Sequence, residues 1–301
     1  MATHDFEPTR FHRTLGSHEP VLRVASGDTI RTWTVDSGGG DASGKQITPG
    51  GNPQTGPFFV EEAQPGDTLA VRFDRLRPNR AAAYTAPLVA PNVVDPGFSL
   101  GDAERDTDWW TLDLERWTAR LDDPPAGLEG LELPLDPMLG CFGVAPWRGQ
   151  AISTATSAEH GGNMDYRGFR EGVTVFFPVF AEGALLHVGD GHALQGDGEI
   201  VGTGIEVSLD VELTVEVLKG KQSRWPRGED DEFLFAVGNA RPLDQAVQHA
   251  TSELLRLLRD DHGLDNRAAS VLLGQCIRYD VGNVYDPAYT MVAKIAKSLL
   301  A

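Results

Sequence analysis

Hydrophobic and polar residues alternate most regularly from Ile205 to Val217. Ile205, Val207, Leu209, Val211, Leu213, Val215 and Val217 are apolar, with Glu206, Ser208, Asp210, Glu212, Thr214 and Glu216 between them. A period of two over this length predicts a long strand with one face buried and one wet, of the kind that bends between two sheets or lines a barrel. Shorter strands are predicted at Val21 to Val24, Asp28 to Val35 and Leu69 to Phe73. Two matching turns, Ser26-Gly27-Asp28 and Pro65-Gly66-Asp67, precede β-branched or apolar runs, which is hairpin chemistry and a short repeat of the sort a duplicated β module leaves. The apolar runs Val173 to Phe180 and Ala184 to Val188 predict a further hairpin. Helical spacing enters only near the end, where Leu243, Val247, Ala250, Leu254, Leu257 and Leu258 form a stripe after Pro242. Asp265 is placed to cap a second helix through Leu273, with Gly274 stopping it.

The expected fold is mainly β, with sandwich or barrel elements and a C-terminal helical layer, α+β overall. It forms one unit over residues 1–301, with any subdivision falling between 1–145 and 146–301. Residues 78–137 are broken by Pro91, Pro96, Pro124, Pro125, Pro134 and Pro137 and read as an insertion that covers a face or makes an oligomer contact. Asp36 to Pro57 is too rich in glycine and proline for regular elements; it is either an ordered loop at a site or a floppy surface loop.

Composition narrows the partners. The 34 glycines and 19 prolines suit a turn-rich β architecture. Lys and Arg total 26 against 44 Asp and Glu, a net charge of −18, which argues against nucleic acid and anionic membranes. Cys141 and Cys276 stand far apart and form no disulfide framework, and the first twenty residues lack an apolar signal core. No apolar run reaches the ~20 residues of a membrane span. A soluble, cytoplasmic protein is expected.

The candidate chemistry gathers between Ala158 and Glu206. A Gly-rich loop carrying His160, Gly161, Gly162, Asn163 and Asp165 opens the stretch, and a second carrying Asp190, His192, Asp197 and Glu199 closes it. Asp165, Asp190 and His192, with His160, Asp197, Glu199 or His18 as further candidates, make a mixed nitrogen and oxygen set suited to a divalent ion; Asx turns are the alternative use of the same acids. The order of an EF-hand is absent. His187 and His192 are five residues apart and face opposite sides of a strand, so His187 reads as a packed residue rather than a cupin ligand. No G-x-S-x-G elbow occurs, and none of Lys45, Lys219, Lys221, Lys294 or Lys297 lies near Ser153 to Ser157 to build a Ser–Ser–Lys site. Cys141, next to Phe142, reads as a small buried thiol rather than a nucleophile.

The phrases GNPQTGPFFVEEAQPGDTL, GCFGVAP, EHGGNMDYRG and GDGHALQGDGEIVGTGIE, collinear between Val21 and Leu218, resemble the acetamidase/formamidase family. A weaker echo lies near Val292 to Leu300, whereas the segment before Val21, residues 78–137 and Gly274 to Pro287 depart from the pattern. The resemblance implies a β-rich hydrolase of small amides, a homodimer or higher homo-oligomer, with a divalent metal in some members. It places His160, Asp165, Asp190, His192 and Glu199 in the site region, with Glu61 as an addition. On this reading Asp165, Asp190 and His192 hold the metal, zinc first and calcium second, and Glu199 moves the proton. Gly161, Gly162 or Asn163 receives the oxyanion, and His160 orients a carboxylate or the small amide substrate. A hydrolase of cyclic amides, or a non-catalytic β-rich protein with a structural cation, are the alternatives.

Overall fold

In the computed structural model the long alternating segment forms the strand Leu209–Leu218, flanked on both sides by antiparallel partners, Thr29–Trp33 and Thr68–Pro78. The description covers residues 1–101, 106–221 and 223–300, so residues 102–105 of the predicted insertion lie outside the described residues. The three central strands belong to a nine-stranded sheet that continues through Thr174–Pro178, Arg227–Glu229, Phe233–Ala240, Tyr289–Ala296 and Arg278–Val281, with Thr3–Asp5 at the opposite edge. A second sheet is built around Met138–Gly143, Leu186–His192 and Gln54–Val60, with Gly161–Asn163, Ser157–Ala158, Phe11–His12 and Leu22–Val24 outside them.

The two sheets share one core. Phe142 from the second sheet meets Phe73 and Phe177 of the first edge-on, at ring separations of 5.0 and 5.5 Å. Val60 and Val188 bury against the same cluster as Val71, Leu213 and Val215. This is the sandwich expected from alternation, since each sheet hides one face and the faces meet. Against the outer face of the large sheet lie α1 (Leu243–His262) and α2 (Asn266–Cys276), where Leu254, Leu257 and Leu258 pack on Leu234, Ala236 and Ile295. Asp265 caps α2 by accepting from Ala268 N at 2.8 Å, as predicted. Gly274 does not stop that helix, which runs on to Cys276. No helix among the described residues is long and apolar enough to cross a membrane.

Several connections differ from those predicted. Neither Gly-Asp-Thr turn closes a hairpin. Leu22–Val24 and Gln54–Val60 lie in the second sheet, and the strands that follow, Thr29–Trp33 and Thr68–Pro78, lie in the first. Each turn therefore carries the chain across the sandwich, and in each the Asp carboxylate accepts from a backbone N–H three residues back, Ala25 to Asp28 at 3.1 Å and Gln64 to Asp67 at 2.9 Å. The 173–188 stretch is likewise a crossing. Thr174–Pro178 joins the first sheet and Leu186–His192 the second, with Gly183, Ala184 and Leu185 between them at positive φ. Periodicity finds strands but carries no record of which sheet each joins. Within the predicted insertion, Ala82–Thr85, Asp108–Asp113, Thr118–Leu121 and Leu133–Pro134 form a four-stranded sheet.

Candidate active site

Met138–Gly143 runs antiparallel to both Leu186–His192 and Gly161–Asn163, and the segment after Asn163 turns back onto its middle, where Gly140 O accepts from Met164 N at 3.0 Å and Asp165 N at 3.1 Å. Asp165, His192 and Glu199 bring one ligand atom each to within 4.8 Å of one another, and Asp190, His192 and Glu206 form a second such group sharing the imidazole. All five are buried. Asp286, 7 % exposed, adds a further carboxyl beside them. The convergence depends on Gly140: a Cβ there would lie 2.3 Å from Asp165 Oδ1, 2.6 Å from Asp190 Oδ2 and 3.1 Å from His192 Cε1. Glycine is what lets both carboxylates and the ring close over the strand.

The backbone is held in unusual conformations at these residues. Asp165, Asp190 and Glu199 have φ of 43°, 62° and 47°, and Asn52 has 61°. Such positive values are costly away from glycine and cluster at functional sites. Here they aim acids inward from segments that would otherwise continue as strand or turn.

Amides tie the acids together. Asn52 Nδ2 donates to Asp190 Oδ2 at 3.0 Å and to Asn163 Oδ1 at 2.5 Å, and Asn163 Nδ2 donates to Asp286 Oδ2 at 2.6 Å. Asn283 Nδ2 donates to Asp165 Oδ2 at 3.2 Å. His192 Nδ1 faces Gln195 Oε1 at 2.9 Å; because that oxygen only accepts, Nδ1 carries hydrogen. His192 Nε2 lies 2.9 Å from Glu206 Oε1 and 3.4 Å from Asp190 Oδ1, yet makes no aligned hydrogen bond. Glu206 Oε2 accepts from Ser37 Oγ at 2.6 Å, and Tyr84, from the sheet within 82–134, then donates to Ser37 at 3.0 Å.

Burial and mutual repulsion push the carboxyls up. Asp165 is raised well above the usual range by burial, then by Glu199, Asp286 and Asp190. Glu199 is raised by burial against the counter-pull of His192, and Asp286 is raised by burial to about 6. Burial opposes charge on His192, but Glu206 and Asp190 outweigh it and lift the imidazole well above its ordinary value. Asp165 Oδ1 and His192 Nε2 have no hydrogen-bond partner despite full burial. Crowded acids, an unpartnered carboxylate oxygen and an unpartnered imidazole nitrogen fit a divalent cation of zinc type, for which mixed His and carboxylate ligation is usual.

Of the residues selected from sequence, Asp165, Asp190, His192, Glu199 and Asn163 come together. His160 does not. It is fully buried with both ring nitrogens unpartnered, burial lowers its pKa to about 4, and it belongs to neither ligand group. Gly161 and Gly162 sit in a strand paired on both sides, not in an open loop. Their Cβ positions would fall 2.6 Å from Phe142 O and 2.4 Å from Thr156 O, so these glycines serve close strand approach rather than offering free N–H groups. Asp197 is on the surface within 3.7 Å of Arg167, and Glu61 is exposed and paired with Arg23 at 2.7 Å. His18 stacks on His12 at 4.0 Å, and His187 is packed with Nε2 3.2 Å from Gly16 O. Cys141 is buried, and burial followed by Asp190 and Asp286 raises its thiol pKa, the opposite of what a nucleophile requires.

Sequence reasoning missed Glu206, Asn52, Gln195, Asn283 and Asp286. Glu206 occupies a position that alternation assigns to solvent, but residues 204–209 are buried on both faces. Asn283 and Asp286 come from the 274–287 stretch that departs from the family pattern. Asn52 and Ser37 come from the 36–57 stretch, which is irregular only as far as Pro53, since Gln54–Val60 is a strand, and whose irregular part lies against the site. A cavity of about 830 Å³, lined in part by Phe176, Arg227, Leu257 and Lys297 and by the acids Glu229, Asp260 and Asp261, contains none of Asp165, Asp190, Glu199, Glu206 or Asp286.

A β sandwich carrying a buried cluster of carboxylates and one imidazole, stitched by side-chain amides, offers acid–base groups and a donor set that could hold a divalent cation in one place. The model of the Acetamidase/Formamidase family matches residues 148–247. An acetamidase from Yersinia enterocolitica of known structure is 32 % identical with a TM-score of 0.86, over 99 % of this chain and 93 % of that one. A predicted acetamidase/formamidase from the thermophile Thermoanaerobacter tengcongensis is 29 % identical with a TM-score of 0.84, over 99 % and 97 %. The acetamidase of Mycolicibacterium smegmatis is 40 % identical over 91 residues, 30 % of this chain but only 22 % of that protein's length. The chain belongs to the acetamidase/formamidase family.

Proposed function

We propose that the protein hydrolyses a short, linear primary amide to a carboxylate and ammonia. The observation that carries this reading is the convergence of Asp165, Asp190, His192, Glu199 and Glu206 in one buried cluster of a chain whose relatives are named acetamidase and formamidase. The acids are at most 7 % exposed, which favours a substrate of a few heavy atoms.

Asp165, Asp190 and His192 would hold the divalent ion, the imidazole through Nε2, with Gln195 fixing the ring at Nδ1. Bound there, a divalent ion supplies Lewis acidity, polarising a carbonyl and acidifying water. Glu199, made more basic by burial, accepts a proton from the attacking water and returns it to the departing nitrogen. The water oxygen bonds to the carbonyl carbon, the carbon–nitrogen bond breaks, and ammonia leaves. With Gly161 and Gly162 committed to the sheet, the oxyanion falls to Asn163, whose Nδ2 keeps a second hydrogen beyond the one given to Asp286. A donor in that position contributes on the order of 3 kcal/mol to the transition state.

Ammonia release from formamide and acetamide, beside ring opening of a small lactam, tests the reading. Linear amides are expected to turn over, turnover to stop on chelation and to return with zinc. Full activity in protein shown to be metal-free would refute the role given to Asp165, Asp190 and His192. Cation-dependent melting without turnover of any amide would refute the reaction.

A further inference from the structure

Two side-chain carbonyls beside the acids lack donors. Asn52 is 8 % exposed and Gln54 is fully buried, yet neither Asn52 Oδ1 nor Gln54 Oε1 has a hydrogen-bond partner. Neither amide can be turned over to relieve this. Asn52 Nδ2 sits among three acceptors, Asp190 Oδ2 at 3.0 Å, Asn163 Oδ1 at 2.5 Å and Thr154 O at 3.3 Å. Asn163 is fixed in turn by donating to Asp286 Oδ2. Gln54 Nε2 donates to Asn52 O at 3.2 Å. The Gln54 amide lies against Gly189, the residue before Asp190, where a Cβ would come 2.5 Å from Nε2 and 3.0 Å from Oε1. The two acceptors thus belong to one hydrogen-bonded chain that ends on a site carboxylate. Buried acceptors without donors are costly, and a structure keeps them where a ligand supplies the hydrogens.

We propose that Asn52 and Gln54 recognise the –NH2 group of the substrate, so that the site selects unsubstituted amides over N-alkylated ones. This rests on the amide-hydrolase reading above. A primary amide nitrogen carries two hydrogens, and two orphaned carbonyl oxygens match it. Each N-methyl group removes one donor and leaves a buried oxygen unpaired, which is the arrangement that gives polar sites their strongest discrimination. The same oxygens then hold the nitrogen as it becomes ammonia and gains a hydrogen.

The test compares acetamide, N-methylacetamide, N,N-dimethylacetamide and methyl acetate in the metal-loaded wild type, Gln54→Met and Gln54→Glu. Methyl acetate shares the acyl group but has no N–H, so general damage lowers both substrate types while lost recognition lowers only the amide. The kcat/KM ratio of acetamide to methyl acetate is expected to fall roughly tenfold in Gln54→Met, the worth of one hydrogen bond. Gln54→Glu, protonated so that one carboxyl oxygen donates to Asn52 O while the other keeps the acceptor, is expected to restore it. An unchanged ratio in Gln54→Met overturns the assignment. If the wild type hydrolyses neither class, the amide-hydrolase reading fails instead, and calorimetry of acetamide against N,N-dimethylacetamide decides the recognition alone. A wild-type preference for acetamide that Gln54→Met loses sustains it; equal binding, or none, overturns it.

Discussion

Replacing Gly140 by alanine is the sharpest test of the site geometry. The backbone at Gly140 is not in the left-handed region, so alanine brings no conformational strain, and its effect is that of one methyl group. That methyl would sit 2.3 Å from Asp165 Oδ1 and 2.6 Å from Asp190 Oδ2, against an ordinary contact near 3.4 Å. The carboxylates must therefore retreat by about 1 Å, and a displacement of that size in reacting groups costs roughly 10²-fold in rate. Ammonia release from acetamide is expected to fall by about that factor in Gly140→Ala, together with bound metal measured by elemental analysis. Gly130→Ala, where nothing lies within 4 Å, is the control and is expected to match the wild type. Wild-type turnover and metal content in Gly140→Ala would show that Asp165 and Asp190 do not act together in that space.

Acid lability should follow from the two packed histidines outside the site. Burial lowers His160 to about 4 and His187 to about 3 from an ordinary value of 6.5, so both stay neutral in the fold while the unfolded chain takes up protons below 6.5. The stability they contribute is present above pH 6.5 and lost as pH falls toward 4 and 3, by about 3 and about 5 kcal/mol at the limit. The raised site carboxyls titrate with the opposite sign, so the readout is the difference in urea stability between wild type and His187→Phe. That difference should shift in favour of the variant between pH 6.5 and 4.5, and a constant difference would contradict it. Gly274→Ala, inside α2 with open space around the added methyl, is expected to raise stability by about 0.5–1 kcal/mol in thermal melts; a loss would refute the helical reading of that position. Cys141→Ala is expected to retain amide turnover, and its abolition in a folded variant would restore the thiol as a candidate nucleophile.

Much of this was legible from residue pattern, and the failures have common causes. The 209–218 strand, the α1 stripe and the Asp265 cap are local features, and local rules found them. Asp165, Asp190, His192 and Glu199 stood out as acids and an imidazole in two Gly-rich segments flanking one pair of apolar runs, although Asp197 beside them shows that the same pattern also serves the surface. Glu206 was hidden by the alternation that continues from the 209–218 strand back to Ile205, although the strand itself begins after it; burial there comes from Ser37 and Tyr84, distant in sequence. Asp286 and Asn283 were hidden because their neighbours carry no pattern at all. His160 stands in the turn between Ser157–Ala158 and Gly161–Asn163, and proximity in sequence to Asp165 says nothing about where such a turn buries its side chain; the sheet crossings went unread because pairing is non-local.

Backbone strain at Asp165, Asp190 and Glu199 has a consequence for how this scaffold would evolve under artificial pressure. Selection for heat resistance alone, blind to turnover and without added metal, should converge early on glycine at these three codons. The survivors would be sturdier and inert, and the list of their mutations would trace the proposed site in negative.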